Sequence, residues 1–381
     1  MRDIAVVFGG PSPEHDVSVL TGLQAAHELE AASSEGALEG GVKALYWSKT
    51  GEWFEVDPSL EAVSFVEGVP SGSTPLRLEV GSGGGFFKAG KILSPKRLGV
   101  DVVIVCCHGG PGEDGSLQGA LDLAGIPYTG PSAAGAMVGM DKLAFGALMD
   151  AIGLPTLPRV ALDEDVRDVE FDGPFIVKPR FGGSSIGIEV VDDISTARDI
   201  YVASPHLSSR GAVVEPFRAN YFDLQVAART WPEPQLSAIE RPLRANGEAA
   251  GASRSEILGY MDKYAGGDGM ASAPRELPAR LLETVEKMIN DAAMEIVRAT
   301  PVRGVARIDF LSDGDDVVVN EVNTIPGSLA RYLWIQPALS FRQLLVDLIS
   351  EATSRPSRHY GSHGADGTVL RGAATIAAKL A

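Results

Sequence analysis

Apolar residues in this chain come in short blocks with two different rhythms. Residues 4–8 form an unbroken apolar run that stops at Gly9 and Gly10, and residues 100–107, apolar but for Asp101, form a second block that stops at His108, Gly109 and Gly110. Short runs without alternation predict strands buried on both faces, as in a parallel sheet. Between them, residues 17–30 carry helical spacing and residues 42–47 read as a further strand; a second helix is predicted over 116–124. Strand, helix, strand, helix predicts an α/β unit with helices on both faces of a parallel sheet. Ligands on such sheets bind beyond the C-terminal strand ends, where both glycine turns fall. Residues 66–91 are rich in Gly, Ser and Pro and predict a surface excursion in the form of a hairpin.

From about residue 160 the rhythm changes to short strands with tight turns, at 174–179, 187–191, 212–215, 223–228 and 236–239, which predicts antiparallel pairing. Residues 278–299 have helical spacing, with Leu281, Val285, Met288, Ile289, Ala292 and Ile296 on one stripe. Two strands follow, 305–311 and 317–323, joined by Asp313, Gly314, Asp315 and Asp316, a strong hairpin turn. The tail from Arg355 is rich in Gly, Ser, His and Ala, and its pattern fits a short helix or no structure.

The length of 381 residues exceeds one compact core and implies several packed units. A net charge of −17 disfavours nucleic acid and anionic membranes as partners, so an anionic substrate needs a local cluster of Lys, Arg and backbone N–H groups. No run approaches the roughly 20 apolar residues of a membrane span. The N-terminus begins a strand at once and lacks the apolar core of a signal peptide, so a cytoplasmic protein is expected. Cys106 and Cys107 sit in a buried apolar run and read as small core residues.

The sharpest chemical signal is Asp309, Glu321 and Asn323. Positions 321 and 323 point to one face of their strand, and hairpin pairing brings Asp309 to it. A bound Mg²⁺ pair accounts for two carboxylates and an amide oxygen together; solvated acids on an exposed sheet face account for them equally. Arg307, two residues before Asp309, shares the face and is either a plain ion-pair partner or a stabiliser of phosphoryl-transfer charge. Lys178 ends an apolar strand and is followed by a small-residue loop, 181–187, that contains Gly183, Ser184 and Ser185. Backbone N–H groups in such a loop approach an anion closely, although a hairpin also needs glycine. The loop joins two strands and would act as a lid over a triphosphate. Lys142 starts a helix, His108 opens a glycine-rich turn, and Glu14 lies at a helix start, where the helix dipole favours an acid.

Seven segments together resemble the D-alanine–D-alanine ligases in order and spacing: 8–18 (FGGPSPEHDVS), 108–119 (HGGPGEDGSLQG), 128–130 (YTG), 140–142 (MDK), 177–179 with 183–187 (VKP, GSSIG), 307–309 (RID) and 320–327 (NEVNTIPG). The likeness runs from about residue 3 to about 350. It implies the ATP-grasp fold, with an N-terminal α/β domain over 1–130, a central lid-bearing subdomain over 131–214, a C-terminal subdomain over 215–354 and a tail over 355–381. ATP would lie between the last two subdomains. It implies an ATP-dependent ligase of peptidoglycan precursor synthesis that joins two D-alanines through an acyl phosphate, as a homodimer. Lys142, Lys178 and Lys263 would contact ATP phosphates under the loop of Gly183 and Ser185. Glu215 would meet the adenine amino group, Phe217 would line the base pocket, and Asp223 would bind ribose. Asp309, Glu321 and Asn323 would hold two Mg²⁺, with Mn²⁺ as a substitute. Glu14, Ser184 and Tyr264 would link the first amino acid to the lid. His108 would sit near that substrate's carboxylate, and Arg307 with the Gly327 amide would stabilise the tetrahedral intermediate.

One segment departs from the family. Where these ligases carry a serine for the second substrate's carboxylate, this chain has Tyr332, in the run from Ser328 to Trp334 with Arg331 adjacent. Ser328, Arg331 and Tyr332 are therefore expected to shape the acceptor pocket, and Trp334 either enlarges it or packs in the core. A ligase of the same fold with a different amino-acid acceptor, in a specialised pathway, is the alternative. A non-catalytic ATP-binding module is a third reading, which decay of the phosphate and metal residues would favour; all of them are present.

Overall fold

The computed structural model describes residues 3–38, 40–89, 96–243, 274–355 and 361–372. Its first sheet has six strands: β1 (Ile4–Gly9), β2 (Val42–Trp47), β3 (Trp53–Val56), β4 (Thr74–Glu79), β5 (Gly85–Lys88) and β6 (Val102–Val105), in the order β5-β4-β3-β2-β1-β6. β1 runs parallel to β2 and β6, as the unbroken apolar runs predicted. The other pairs are antiparallel, so the sheet is mixed and not wholly parallel. The reason lies in β3 and β4, which are only partly buried and can be joined by short turns. The glycine-rich excursion at 66–91 supplies β4 and β5, the hairpin that extends this sheet.

The second sheet holds β7 (Val160–Leu162), β8 (Phe175–Pro179), β9 (Glu189–Val191) and β10 (Ala212–Pro216), in the order β7-β10-β8-β9 with every pair antiparallel. The third contains β11 (Phe222–Arg229) and β12 (Gln235–Leu236). A two-stranded ribbon of β13 (Arg241–Pro242) and β14 (Arg275–Glu276) comes next in the chain. β15 (Val305–Ser312) and β16 (Val317–Asn323) complete the third sheet, in the order β12-β11-β15-β16. The helix expected over 278–299 runs Glu283–Ala299 and buries Val285, Ile289 and Ile296 in the core of the third sheet. It starts late because Glu283 and Glu286 form its first turn, where the dipole favours acids.

The helix Phe341–Ser354 shares the core of the first sheet. Its Leu344, Leu345 and Leu348 are buried with Ile4, Phe8 and Leu29, and Arg342 pairs with Glu28 (2.7 Å) on the helix His15–Ser34 and with Glu35 (2.5 Å) at its C-cap. The chain thus returns to its first unit after building the third sheet, which brings residues 325–334 against the glycine turns of the N-terminal half. In the tail, Thr368–Arg371 is one helical turn. Cys106 and Cys107 are buried and unbridged. No helix among the described residues is long and apolar enough to cross a membrane.

Candidate active site

The hairpin of β15 and β16 sets the centre of the site. Asp309 pairs with Glu321 and Arg307 with Asn323, so all four side chains share one face, as the spacing predicted. Arg307 holds Asp309 through two parallel bonds, Nε to Oδ1 (2.7 Å) and Nη2 to Oδ2 (2.8 Å), and both residues are buried. Asn323 donates Nδ2 to Asp309 Oδ2 (3.1 Å), which turns its own Oδ1 away from Asp309. A β-bulge after Asp309 places Asn320 as an extra residue in β16. Strict alternation would turn Asn320 away from Glu321; with the bulge, both line the same cleft.

That cleft lies between the second and third sheets. Lys142, Ile176, Lys178, Gly183, Ser185, Phe217, Asp223, Leu311 and Asn320 line it. Lys178 donates from Nζ to Glu215 Oε2 (2.7 Å) and to Asn320 Oδ1 (3.2 Å). An ammonium has three donors, so two are committed and the third is aimed by them. Lys142, the first residue of the helix Lys142–Ala151, donates to Gly182 O (2.5 Å) and pairs with Glu321 Oε2 (3.3 Å). Its neighbour Asp141 caps that helix and accepts a bidentate contact from Arg180 at the base of the lid loop. Glu215 is fully buried; burial works to raise its pKa, but Lys178, Arg159 and Lys142 outweigh that and hold it below the usual carboxylate value.

A second, smaller cleft shares Lys142, Gly183 and Glu321 with the first and adds Glu14, Glu113 and Asn323. Ser184 Oγ donates to Glu14 Oε1, which ties the lid loop to the first glycine turn. Gly183 makes that approach feasible, because a Cβ there would sit 3.0 Å from Glu14 Oε2. Ser184 and Ser185 both have left-handed backbone (φ 53° and 59°), a cost of about 1–2 kcal/mol each that turns their N–H groups along the loop.

The family pattern described as the D-ala D-ala ligase N-terminus matches residues 3–131, and the pattern described as the D-ala D-ala ligase C-terminus matches residues 156–350. The chain belongs to the D-alanine–D-alanine ligase family. A D-alanine–D-alanine ligase of Bradyrhizobium is 30% identical over 93% of this chain and 96% of its own length. That of Nocardia farcinica is 31% identical over 92% and 97%. Among solved structures, the D-alanine–D-alanine ligase of Coxiella burnetii superposes with a TM-score of 0.72 at 23% identity, covering 97% of each chain. The VanG D-Ala:D-Ser ligase of Enterococcus faecalis gives 0.70 at 25% identity, over 92% of this chain and 99% of its own.

Beside this ligase frame, other expected site residues find their places. Phe217 and Asp223 line the larger cleft. Lys263 and Tyr264 lie outside the described residues. His108 is buried, with Nδ1 against Ile325 O (2.7 Å) and Nε2 against Thr21 Oγ1 (2.7 Å). A carbonyl can only accept, so Nδ1 carries the proton and Nε2 accepts from the Thr21 hydroxyl. Thr21 in turn accepts from Ser328 N–H (3.0 Å). Burial lowers the His108 pKa to about 4, so this linkage uses a neutral ring.

With the folded pKa depressed, the unfolded chain takes up the proton first as pH falls below 6.5, and stability is lost down to about 4. Replacing His108→Asn should therefore give a destabilisation that shrinks by on the order of 3 kcal/mol between pH 7 and pH 4, read by denaturant unfolding. A difference independent of pH would contradict a neutral buried ring.

Glu113 lies in the turn after His108, and its pattern in the sequence carries no signal of its role. It accepts from Gly109 N (2.8 Å) and Ile325 N (3.0 Å), strapping that turn to the segment carrying Asn323 and Gly327. Burial, with the charge of Glu14, pushes its pKa up to about 7.

The segment Gly327–Leu333 winds through three left-handed residues, Ser328, Leu329 and Ala330 (φ 50–52°). Leu329 and Ala330 are buried in the first core, which holds the turn in place. Tyr332 is buried with its hydroxyl beside the Arg307 side chain and its ring under Arg275 (4.5 Å). Arg331 instead lies over the Phe341 ring (5.4 Å), a packing contact that an apolar helix face offers to its guanidinium. Trp334 packs in the first core.

Proposed function

We infer that this chain is an ATP-dependent ligase that joins two molecules of D-alanine for cell-wall precursor synthesis, releasing ADP and phosphate. The observation that carries the reading is the meeting of two clefts at Lys142 and Glu321, one lined by Lys178, Phe217 and Asp223 and one bounded by Glu14 and Asn323. The match to the family over both its parts supports it.

A carboxylate resists attack by an amine because its oxygens leave poorly. Transfer of the γ-phosphoryl group to one carboxylate oxygen gives an acyl phosphate, whose leaving group is good. In the proposed arrangement, adenine lies beside Phe217 and Glu215, and ribose beside Asp223. Lys142 and Lys178 hold the phosphates under the 181–187 loop, together with Lys263. The two carboxylates and one amide of Asp309, Glu321 and Asn323 suit a hard cation such as Mg²⁺, with phosphate oxygens completing its shell, and it would offset triphosphate charge. Glu14, with Ser184 and Tyr264, holds the ammonium of the first D-alanine and closes the lid onto it, which keeps water from the acyl phosphate. Both ring nitrogens of His108 are already engaged, so it orders the loop beside the first carboxylate. The second D-alanine attacks as the free amine, and the oxyanion forms against Arg307 and the Gly327 amide. The ligase works as a cytoplasmic homodimer in this reading.

Tyr332 beside Arg307 favours a second reading of the acceptor: a ligase with another small amino or hydroxy acid in second place. ADP release with D-alanine alone, and with D-alanine plus D-serine, glycine, L-alanine or D-lactate, separates the two when product masses are recorded. D-alanyl-D-alanine as the major product in every mixture supports the first reading; preferential incorporation of another acceptor replaces it with the second.

A further inference from the structure

Arg159 belongs to none of the motifs above, yet it is one of the most enclosed cations of the described chain, with its side chain 4% exposed. It precedes β7 and reaches three separate elements. Its Nε pairs with Glu215 Oε1 at 2.7 Å, Nη1 donates to Lys142 O at 3.0 Å, and Nη2 donates to Asn320 O. The fork of a guanidinium permits this and an ammonium does not. Room for it comes from Gly146, inside the helix Lys142–Ala151, where a Cβ would lie 3.1 Å from Arg159 Cδ and 3.2 Å from Nη1. Glycine inside a helix costs about 1 kcal/mol relative to alanine, so the position is kept small against local propensity.

The electrostatic consequence follows from counting charges. Glu215 is completely buried and holds Lys178 through its other oxygen. With Lys178 alone, the buried carboxylate would cancel the ammonium and leave the cleft wall neutral. With Arg159 on the opposite oxygen, the trio carries a net charge of plus one, and Lys178 is the cation of the trio that lines the cleft, beside Glu215. The same guanidinium fixes the backbone of Lys142 and Asn320, whose side chains aim at that cleft.

We propose that Arg159 is a positioning residue for nucleotide phosphate binding: it occupies one side of Glu215 and so leaves the charge of Lys178 available to the triphosphate. This rests on the reading that ATP fills the larger cleft. Arg159 touches no substrate; it acts through Glu215, Lys178 and Lys142.

The test compares equilibrium binding of ATP with Mg²⁺, and of adenosine, to the full chain and to Arg159→Met, Arg159→Lys and Gly146→Ala. Arg159→Met should weaken ATP on the order of 10- to 100-fold, as expected for a charge-assisted bond, and change adenosine less than about threefold. Arg159→Lys should lose less, since it keeps the charge but not the fork. Gly146→Ala should shift the guanidinium by a few tenths of an ångström, with a smaller loss confined to ATP, and it carries the test if Arg159→Met fails to fold. Equal losses for ATP and adenosine would mean a purely structural role and overturn the proposal, as would unchanged ATP affinity in all variants or a lysine variant as weak as the methionine one. A parent chain that binds neither ligand overturns the nucleotide reading itself, and this proposal with it.

Discussion

Replacing Arg307→Lys is expected to cut turnover on the order of 100- to 1000-fold while changing ATP affinity only a few-fold. The guanidinium is set by its bidentate hold on Asp309, so its remaining N–H groups have a fixed direction. A preorganised donor at a developing oxyanion contributes roughly 3–4 kcal/mol, which is that range of rate. Lysine keeps the charge and avoids stranding a buried carboxylate, but it cannot hold Asp309 with two bonds and still face the site. Steady-state kinetics beside nucleotide binding separates the effects. A fall in ATP affinity as large as the fall in turnover would place Arg307 in ground-state binding.

Replacing Glu321→Gln is expected to lower kcat/KM for ATP on the order of 100-fold at ordinary Mg²⁺ concentrations, with partial recovery as Mg²⁺ is raised. Glu321 faces Asp309 across the hairpin and also pairs with Lys142 at 3.3 Å. Glutamine keeps size and one oxygen donor and removes the charge that draws a cation. Freed from its partner, Lys142 would hold phosphate more strongly, so ATP binding without metal should tighten slightly. A loss that no Mg²⁺ concentration relieves, with metal-free ATP binding unchanged, would mean that Glu321 serves only as the ion-pair partner of Lys142.

The alternation rule was enough to bring Asp309, Glu321 and Asn323 to one face, because hairpin register follows from turn length and strand period. The parallel centre of the first sheet was legible for the same reason: strands buried on both faces leave no polar positions. Its antiparallel half was not, since partly exposed strands look alike in either direction. Asn320 escaped because a bulge breaks the alternation on which the reading depends. Arg159 escaped because nothing in a lone arginine after a proline tells which carboxylate lies opposite it in space. The surroundings of Arg331 and Trp334 were not legible, since a left-handed turn at Ser328, Leu329 and Ala330 sets the course of the chain after it. That turn is held by the core it enters, a contact between residues some three hundred positions apart in sequence.

The central claim is that one carboxylate of D-alanine is phosphorylated before the peptide bond forms. Turnover of D-alanine labelled with ¹⁸O at both carboxylate oxygens, with unlabelled ATP and Mg²⁺, followed by mass spectrometry of phosphate and dipeptide, tests it directly. One ¹⁸O is expected in each phosphate released and three in each D-alanyl-D-alanine: one in the amide carbonyl and two in the terminal carboxylate. Release of ADP with unlabelled phosphate, or with no dipeptide, would contradict it.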